Sequence, residues 1–216
     1  QMFLGILRQH PLSPEKREEF LALMAGQVDK LEFLLASLIK MSRLETGTFA
    51  LHLEESPLSE TLAKAVGTVW AKGEAKGIAL AIHCDDTITV CHDPKWTAEA
   101  LGNILDNAVK YAGPGGTVTF TLERHQERLR LAVHNTGEPI PPEHLPRLFE
   151  RFYRTDSDRA RSQGGYGLGL SIAKSIVDGH QGRISVSSSA ISGTLFTVRL
   201  PLPGRGLGHL RTRSLG

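Results

Sequence analysis

Glycines crowd the start of one apolar segment of this chain. Four of the six residues 164–169 are glycine, and the segment 168–177 that follows has helical spacing of its apolar residues. Glycine permits positive φ angles and the close approach of another backbone. The first N–H groups of a helix have no partner within the helix and attract anions. These features together predict a loop that enters a helix beside a phosphate group.

The common phosphate-binding motifs do not fit these glycines. No Lys-Ser or Lys-Thr pair follows them, which excludes GxxxxGK[ST]. In the frame that starts at Gly165, Leu170 takes the last glycine position of GxGxxG. The protein-kinase motifs HRD and DFG are absent. The glycines therefore belong to a phosphate site of another class.

Composition limits the remaining classes. The 216 residues carry a net charge of +2, so the total charge gives no reason to expect a nucleic-acid partner. The two cysteines lack metal-site spacing and favour a reducing compartment. We expect no membrane span in the chain itself. The basic segment 204–216 is predicted to be a disordered tail, and a binding patch is the alternative.

Residues 1–47 predict a helical hairpin. The segment Met2–Leu7 resembles the end of one helix, Ser13 and Pro14 start a second one, and Gly47 ends it. Apolar residues at alternating spacings of four and three along the second helix predict a helix-packing seam. The seam is expected to pair with a second copy, or else to dock on the rest of the same chain. Its members are Met24, Val28, Leu31, Leu35 and Leu38.

Residues 48–203 mix strand and helix patterns without regular alternation, which predicts an α+β fold. We expect a two-layer sandwich with a mixed, mainly antiparallel sheet covered by helices. A helix is predicted to start at Asp93 with Pro94 in its first turn. The strand-like segments are FALHLEES, IALAIHC, ITVC, the two runs in TVTFTLERHQERLRLAVHN, RISVSSS and TLFTVRL.

The predicted helix ALGNILDNAVKYA has two different faces. Leu101, Ile104, Leu105, Ala108 and Ala112 share the side expected to pack on the sheet. Asn103, Asn107, Lys110 and Tyr111 share the other side. Asparagine is a poor helix former, and its amide offers directional donors and acceptors. The face is interpreted as a binding surface, with an ordinary solvated face as the alternative.

Five motifs stand in a fixed order: NILDNAVKYA, HNTGEPIP, FERFYR, GGYGLGL and SGTLFTVRLP. In order and spacing they resemble the N, G1, F, G2 and G3 boxes of bacterial sensor histidine kinases, and LIKMSRLETG resembles the end of their dimerisation helix. These kinases belong to a superfamily with gyrase, Hsp90 and MutL. The resemblance implies the Bergerat ATP-binding fold, Mg·ATP as nucleotide, and transfer of phosphate to a histidine and then to an aspartate of a response regulator receiver domain.

The resemblance also implies roles for single residues. Asn107 would hold Mg²⁺ through its side-chain oxygen. Asn103 stands where gyrase-type hydrolases have a water-activating glutamate, and an amide cannot take up a proton, which favours transfer over hydrolysis. Arg151 and Arg154, on a lid predicted to run from about residue 138 to 169, would neutralise charge during transfer, with solvated arginines as the alternative. The implied nucleotide-binding residues are Asn103, Asn107, Lys110, Tyr111, Asn135, Gly137, Ile140, Phe149, Tyr153, Gly165, Gly167, Leu168, Gly169, Leu170 and Thr194.

This chain departs from the family pattern at three places. Asn135 replaces the usual G1 aspartate that accepts the adenine amino hydrogen, which predicts modestly weaker adenine binding. Pro139 replaces the second glycine of that box. None of the nine histidines has the context of the family's phosphoacceptor H box.

The missing H box leads to an expectation about the longer protein. We expect a fragment of a cytoplasmic kinase region that dimerises through the hairpin and reaches the membrane only through upstream segments. The fragment is not expected to phosphorylate itself. A gyrase-like ATPase and a nucleotide-binding or dimerisation module without catalysis are the alternatives.

Overall fold

The structure is a computed structural model that describes residues 13–45, 50–125, 128–155 and 165–202. The chain divides into two compact units, Gln1–Thr48 and Phe49–Gly216. The predicted first helix Met2–Leu7, the predicted cap Gly47 and the tail 204–216 lie outside the described residues.

The first unit is represented by one long helix, α1 (Pro14–Glu45). It starts as predicted, with the backbone N–H of Lys16 within 3.4 Å of Ser13 Oγ. Four of the five predicted seam residues are exposed: Val28, Leu31, Leu35 and Leu38. Among the described helices, none is long and apolar enough to cross a membrane.

In chain order the described elements of the second unit are β1 (Glu54–Pro57), α2 (Leu58–Ala75), β2 (Ala79–His83), β3 (Thr89–His92), α3 (Pro94–Tyr111), β4 (Thr117–His125), β5 (Arg128–Asn135), the 3-10 helix η1 (Leu145–Arg147), α4 (Gly169–Gly179), β6 (Arg183–Ser189) and β7 (Gly193–Pro201). Five of these strands form a sheet with the order β2-β4-β5-β7-β6, in which only the β2–β4 pair is parallel. Strands β1 and β3 pair separately in antiparallel fashion.

Helix α3 occupies the centre of the helical layer. It packs between α2 and α4 and against β4 and β5. Its predicted apolar face is buried as expected, because each side chain on it lies against the core: Leu101, Ile104, Leu105, Ala108 and Ala112. Alternate residues of β5 are buried too, as in a strand with one core-facing side. These features confirm the predicted α+β sandwich.

Two local predictions differ from the structure. Helix α2 is not anticipated from the sequence, although Leu58, Leu62, Val66 and Val69 bury its core-facing side. The segment FALHLEES forms a strand only from Glu54. In each case packing of a longer region decides the local conformation.

Asp93 joins three segments of the second unit at the start of α3. Its Oδ1 accepts a hydrogen bond from Trp96 N–H at 3.1 Å, which caps the helix as predicted. Its Oδ2 accepts from His52 N–H at 2.9 Å. The N–H of Asp93 in turn donates to His180 Nε2 at 3.1 Å, and His180 Nδ1 donates to the carbonyl of Ile176 at 2.8 Å. His180 is thereby held in one neutral tautomer.

We expect His180 to make stability dependent on pH. Burial lowers the pKa of His180 below its usual value, because the charged imidazolium is removed from water. The unfolded chain therefore takes up this proton first. The contribution to the free energy of unfolding is complete above about pH 6.5 and is lost as the pH falls below it.

Urea unfolding at a series of pH values tests this expectation. His180→Gln should lose less stability between about pH 7.5 and about pH 5 than the unchanged chain. His83→Gln, at an exposed strand position, is the matched control and should keep the original pH dependence. The same pH dependence in all three proteins would contradict the assignment.

Candidate functional site

The polar face of α3 remains accessible while its other face is buried. Asn103, Asn107, Lys110 and Tyr111 are all partly exposed. Asn103 Nδ2 donates to the carbonyl of Glu99 at 3.0 Å, which directs Oδ1 away from that turn. The side-chain amide of Asn107 makes no hydrogen bond with the described residues. Asn107 is therefore available to bind a ligand.

The start of α4 lies directly against this face. A Cβ atom built on Gly169 would lie 2.9 Å from Asn103 Oδ1, so a larger residue there would require the Asn103 amide to shift. The helix has no side-chain cap at its first turn. The side chains of Leu168 and Leu170 are buried, so a ligand could contact only the backbone atoms of these two residues. The predicted meeting of the asparagine face with the glycine-rich segment is present.

Gly167 brings the FERFYR segment to the same place. It has a φ of +72°, and a Cβ atom there would lie 2.5 Å from the carbonyl oxygen of Tyr153. The N–H of Phe152 donates to the carbonyl of Gly167 at 2.9 Å. In contrast, a Cβ atom on Gly165 would meet no other atom within 4 Å. Glycine is therefore required at Gly167 and is not required by any close contact at Gly165.

The aromatic and basic residues of the FERFYR segment have different environments. The Tyr153 hydroxyl lies 2.6 Å from His144 Nδ1, and the guanidinium carbon of Arg147 lies 4.4 Å from the centre of the Tyr153 ring. Phe149 and Arg154 are partly buried, whereas Arg151 is exposed.

Gly137 fixes the end of β5 beside the end of α3. It forms an isolated bridge with Ala112, and a Cβ atom on it would lie 2.3 Å from the carbonyl oxygen of Tyr111. At the same end of α3, Lys110 Nζ donates to the Tyr111 hydroxyl at 2.6 Å. The Lys110 ammonium keeps two further N–H donors beside this bond.

Asn135 and Thr194 lie opposite each other in the pairing of β5 and β7. Asn135 is 1% exposed and Thr194 is 3% exposed. Asn135 Nδ2 donates to the carbonyl of Thr136 at 3.2 Å, and its Oδ1 accepts no hydrogen bond from the described residues. The amide therefore presents its oxygen as an unused acceptor.

Ser188 is a member of this site that the sequence does not reveal. Its Oγ accepts from the N–H of Ile140 at 2.9 Å and shares a hydrogen bond with Thr194 Oγ1 at 2.8 Å. The surrounding run of three serines gives no sign of which one faces the site. Strand alternation could exclude Ser187, but only the fold brings Ile140 to Ser188.

The predicted residues form connected groups around α3. Asn103 contacts the start of α4, and the end of α3 contacts Gly137. Asn107 lies between these two contacts along the helix. Asn135, Thr194 and Ile140 form one hydrogen-bonded group with Ser188. Among the described residues, no group of three or more His, Cys, Asp or Glu side chains could hold a metal ion.

Known proteins share this sequence pattern. The chain is 42% identical over 147 residues to the sensor histidine kinase CusS of Escherichia coli O157:H7, a match that covers 66% of this chain and 30% of CusS. It is 31% identical over 196 residues to the sensor protein SrrB of Staphylococcus aureus strain MRSA252, covering 88% of this chain and 33% of SrrB. The chain thus spans about a third of the length of these relatives.

Structural and family comparisons agree with these relatives. The crystal structure of full-length ShkA in complex with AMPPNP matches with a TM-score of 0.74 and 25% identity, covering 93% of this chain and 42% of that one. The family model described as histidine kinase-, DNA gyrase B-, and HSP90-like ATPase matches residues 92–204, more than half of the chain. The chain belongs to this family and carries the ATPase domain of a sensor histidine kinase.

Proposed function

We propose that this chain binds Mg·ATP on the polar face of α3 and supplies the γ-phosphate to a histidine of a sensor kinase. The contact between Gly169 and Asn103 is the observation that carries the proposal, because it joins the amide face to the uncapped start of α4. The presence of AMPPNP, an analogue of ATP, in the ShkA complex supports the choice of nucleotide.

Asn135 is proposed to select the base. Its unused Oδ1 would accept a hydrogen bond from the 6-amino group of adenine, whereas the 6-oxo group of guanine would place two acceptors together. The bond from Nδ2 to the Thr136 carbonyl opposes rotation of the amide.

Asn107 is proposed to hold the metal ion. Its amide is free of hydrogen bonds to the described residues, and an amide oxygen is a hard ligand that suits Mg²⁺. Phosphate oxygens and water would complete the coordination, since the described residues offer no carboxylate cluster. When bound, Mg²⁺ would offset part of the charge on the phosphates.

The side chains around the phosphates favour transfer to a histidine over hydrolysis. Asn103 cannot accept a proton from water, and its Nδ2 already donates to Glu99. In the proposed transfer, a nitrogen of the acceptor histidine bonds to the γ-phosphorus, the bond to the bridging oxygen breaks, and ADP leaves. Arg151 and Arg154 would stabilise the charge on the transferring group, and Lys110 would contact phosphate oxygens.

The acceptor and the partners are part of the proposal. The four exposed seam residues of α1 would pack against a second copy, which fits a homodimer through the hairpin. The phosphate would pass from histidine to an aspartate on the receiver domain of a response regulator. Both proposals concern a kinase with the full length of the relatives, of which this chain spans about a third.

Binding of AMPPNP tests the metal assignment. We expect Asn107→Ala to weaken Mg²⁺-dependent binding by at least about tenfold, because one metal ligand is lost from a partly buried site. Asp106→Ala is the control, since Asp106 lies on the same helix but forms a surface ion pair with Lys72. Isothermal titration with and without Mg²⁺ measures both. Equal weakening by the two substitutions would reject the role of Asn107.

Competition between nucleotides tests the base assignment. We expect the unchanged chain to bind ATP at least about tenfold more tightly than GTP, because guanine would leave a buried acceptor facing another acceptor. Asn135→Ala should reduce this preference, whereas Thr119→Ala on the outer side of β4 should keep it. Retention of the full preference in Asn135→Ala would refute this role of Asn135.

A phosphotransfer assay separates the candidate functions. We expect no phosphohistidine on the chain alone with Mg·ATP, and labelled histidine on a separately added H-box helix. Mass spectrometry of both polypeptides gives the result. Steady release of inorganic phosphate would instead favour a gyrase-like ATPase. Nucleotide binding without labelling or hydrolysis would leave a binding module.

A further inference from the structure

The loop that follows β5 crosses the end of the sheet. This segment, residues 136–140, is called the strap. It leaves β5 at Asn135 and reaches β6 at Ser188, although β7 lies between these two strands. Neighbouring strands are about 4.8 Å apart, so the strap crosses about 10 Å. Five residues are long enough for this distance.

A row of three polar side chains lies at the end of the sheet that the strap crosses. Asn135 pairs with Thr194, and Thr194 pairs with Ser188, in the register of three neighbouring strands. Paired residues place their side chains on the same side of a sheet. Asn135 and Thr194 are almost completely buried, and Ser188 is partly buried.

The strap is fixed near both of its ends. Gly137 is bridged to Ala112 at the end of α3. At the other end, the N–H of Ile140 donates to Ser188 Oγ at 2.9 Å, and the described residues give this N–H no other acceptor. The bond to Ser188 is therefore the contact that determines where the strap ends.

We infer that Ser188 is a positioning residue for nucleotide binding, an inference that rests on the proposed function. Its hydroxyl holds the strap beside Asn135 and Thr194 and thereby forms the base-binding pocket before the nucleotide arrives. Binding then requires no further ordering of the strap. Ser188 acts through Ile140 and Thr194 and not by contact with the reacting phosphate, so its loss affects affinity and leaves the chemical step intact.

Three substitutions separate this role from a general effect on folding. Ser188→Ala removes the acceptor for Ile140. Ser188→Thr keeps the hydroxyl and suits a strand. Ser187→Ala changes the neighbouring residue, which is exposed on the other side of β6. Urea unfolding of each variant shows whether the domain remains folded.

Titration with Mg·AMPPNP and amide hydrogen exchange are the measurements. We expect Ser188→Ala to weaken binding about fivefold to tenfold, the effect of one lost hydrogen bond, while Ser188→Thr and Ser187→Ala stay within about twofold. Exchange at Ile140 N–H in the nucleotide-free protein should rise at least about tenfold in Ser188→Ala alone. With the added H-box helix, Ser188→Ala should raise KM for ATP and change kcat by less than about twofold.

The outcomes distinguish this inference from the proposed function. If the unchanged chain binds AMPPNP and Ser188→Ala binds it equally well, the inference fails and the proposed function stands. Weakening by Ser188→Thr equal to that by Ser188→Ala would also overturn the inference, because the hydroxyl would then be irrelevant. If the unchanged chain binds no nucleotide, the proposed function fails and the inference fails with it.

Discussion

Close contacts at three glycines, two with backbone carbonyls and one with a side-chain amide, hold the separate parts of the site together. A Cβ atom would lie 2.3 Å from the Tyr111 carbonyl oxygen at Gly137, 2.5 Å from the Tyr153 carbonyl oxygen at Gly167, and 2.9 Å from Asn103 Oδ1 at Gly169. Contacts between segments far apart in the chain occur at each of these positions. A larger residue at Gly137 would force the end of β5 away from the end of α3, and one at Gly167 would separate this glycine from the FERFYR segment.

Helix α3 serves the core and the site with opposite faces. Leu101, Ile104 and Leu105 are buried in the core, while Asn103 and Asn107 remain partly exposed. The position of the amides is thus set by the packing of the apolar face, which leaves little freedom for the helix to rotate. The hydrogen bonds of Asp93 and His180 fix the first turn of the same helix.

The sequence predicts the parts of the fold that follow local patterns. The periodicity of ALGNILDNAVKYA predicts both faces of α3, and Asp93 followed by Pro94 predicts its start. Helix α2 is not predicted from the sequence, although its residues Leu58 and Leu62 are buried in the structure. The role of Ser188 depends on a strap that crosses two strand spacings, and the orientation of the Asn135 amide depends on a carbonyl of the following residue. Such details require the tertiary structure.

The pairing of β5 with β7 has a consequence for the fidelity of folding. Asn135, Thr194 and Ser188 share one row only because the three strands are aligned as they are. A slip of one residue would reverse the direction of every side chain in a strand. Such a misaligned domain would direct apolar residues such as Val133 to solvent and lose the proposed base acceptor in the same event. The hydrophobic core would therefore also protect the proposed recognition of the base, since a chain that mispairs these strands loses its stability together with the proposed base acceptor.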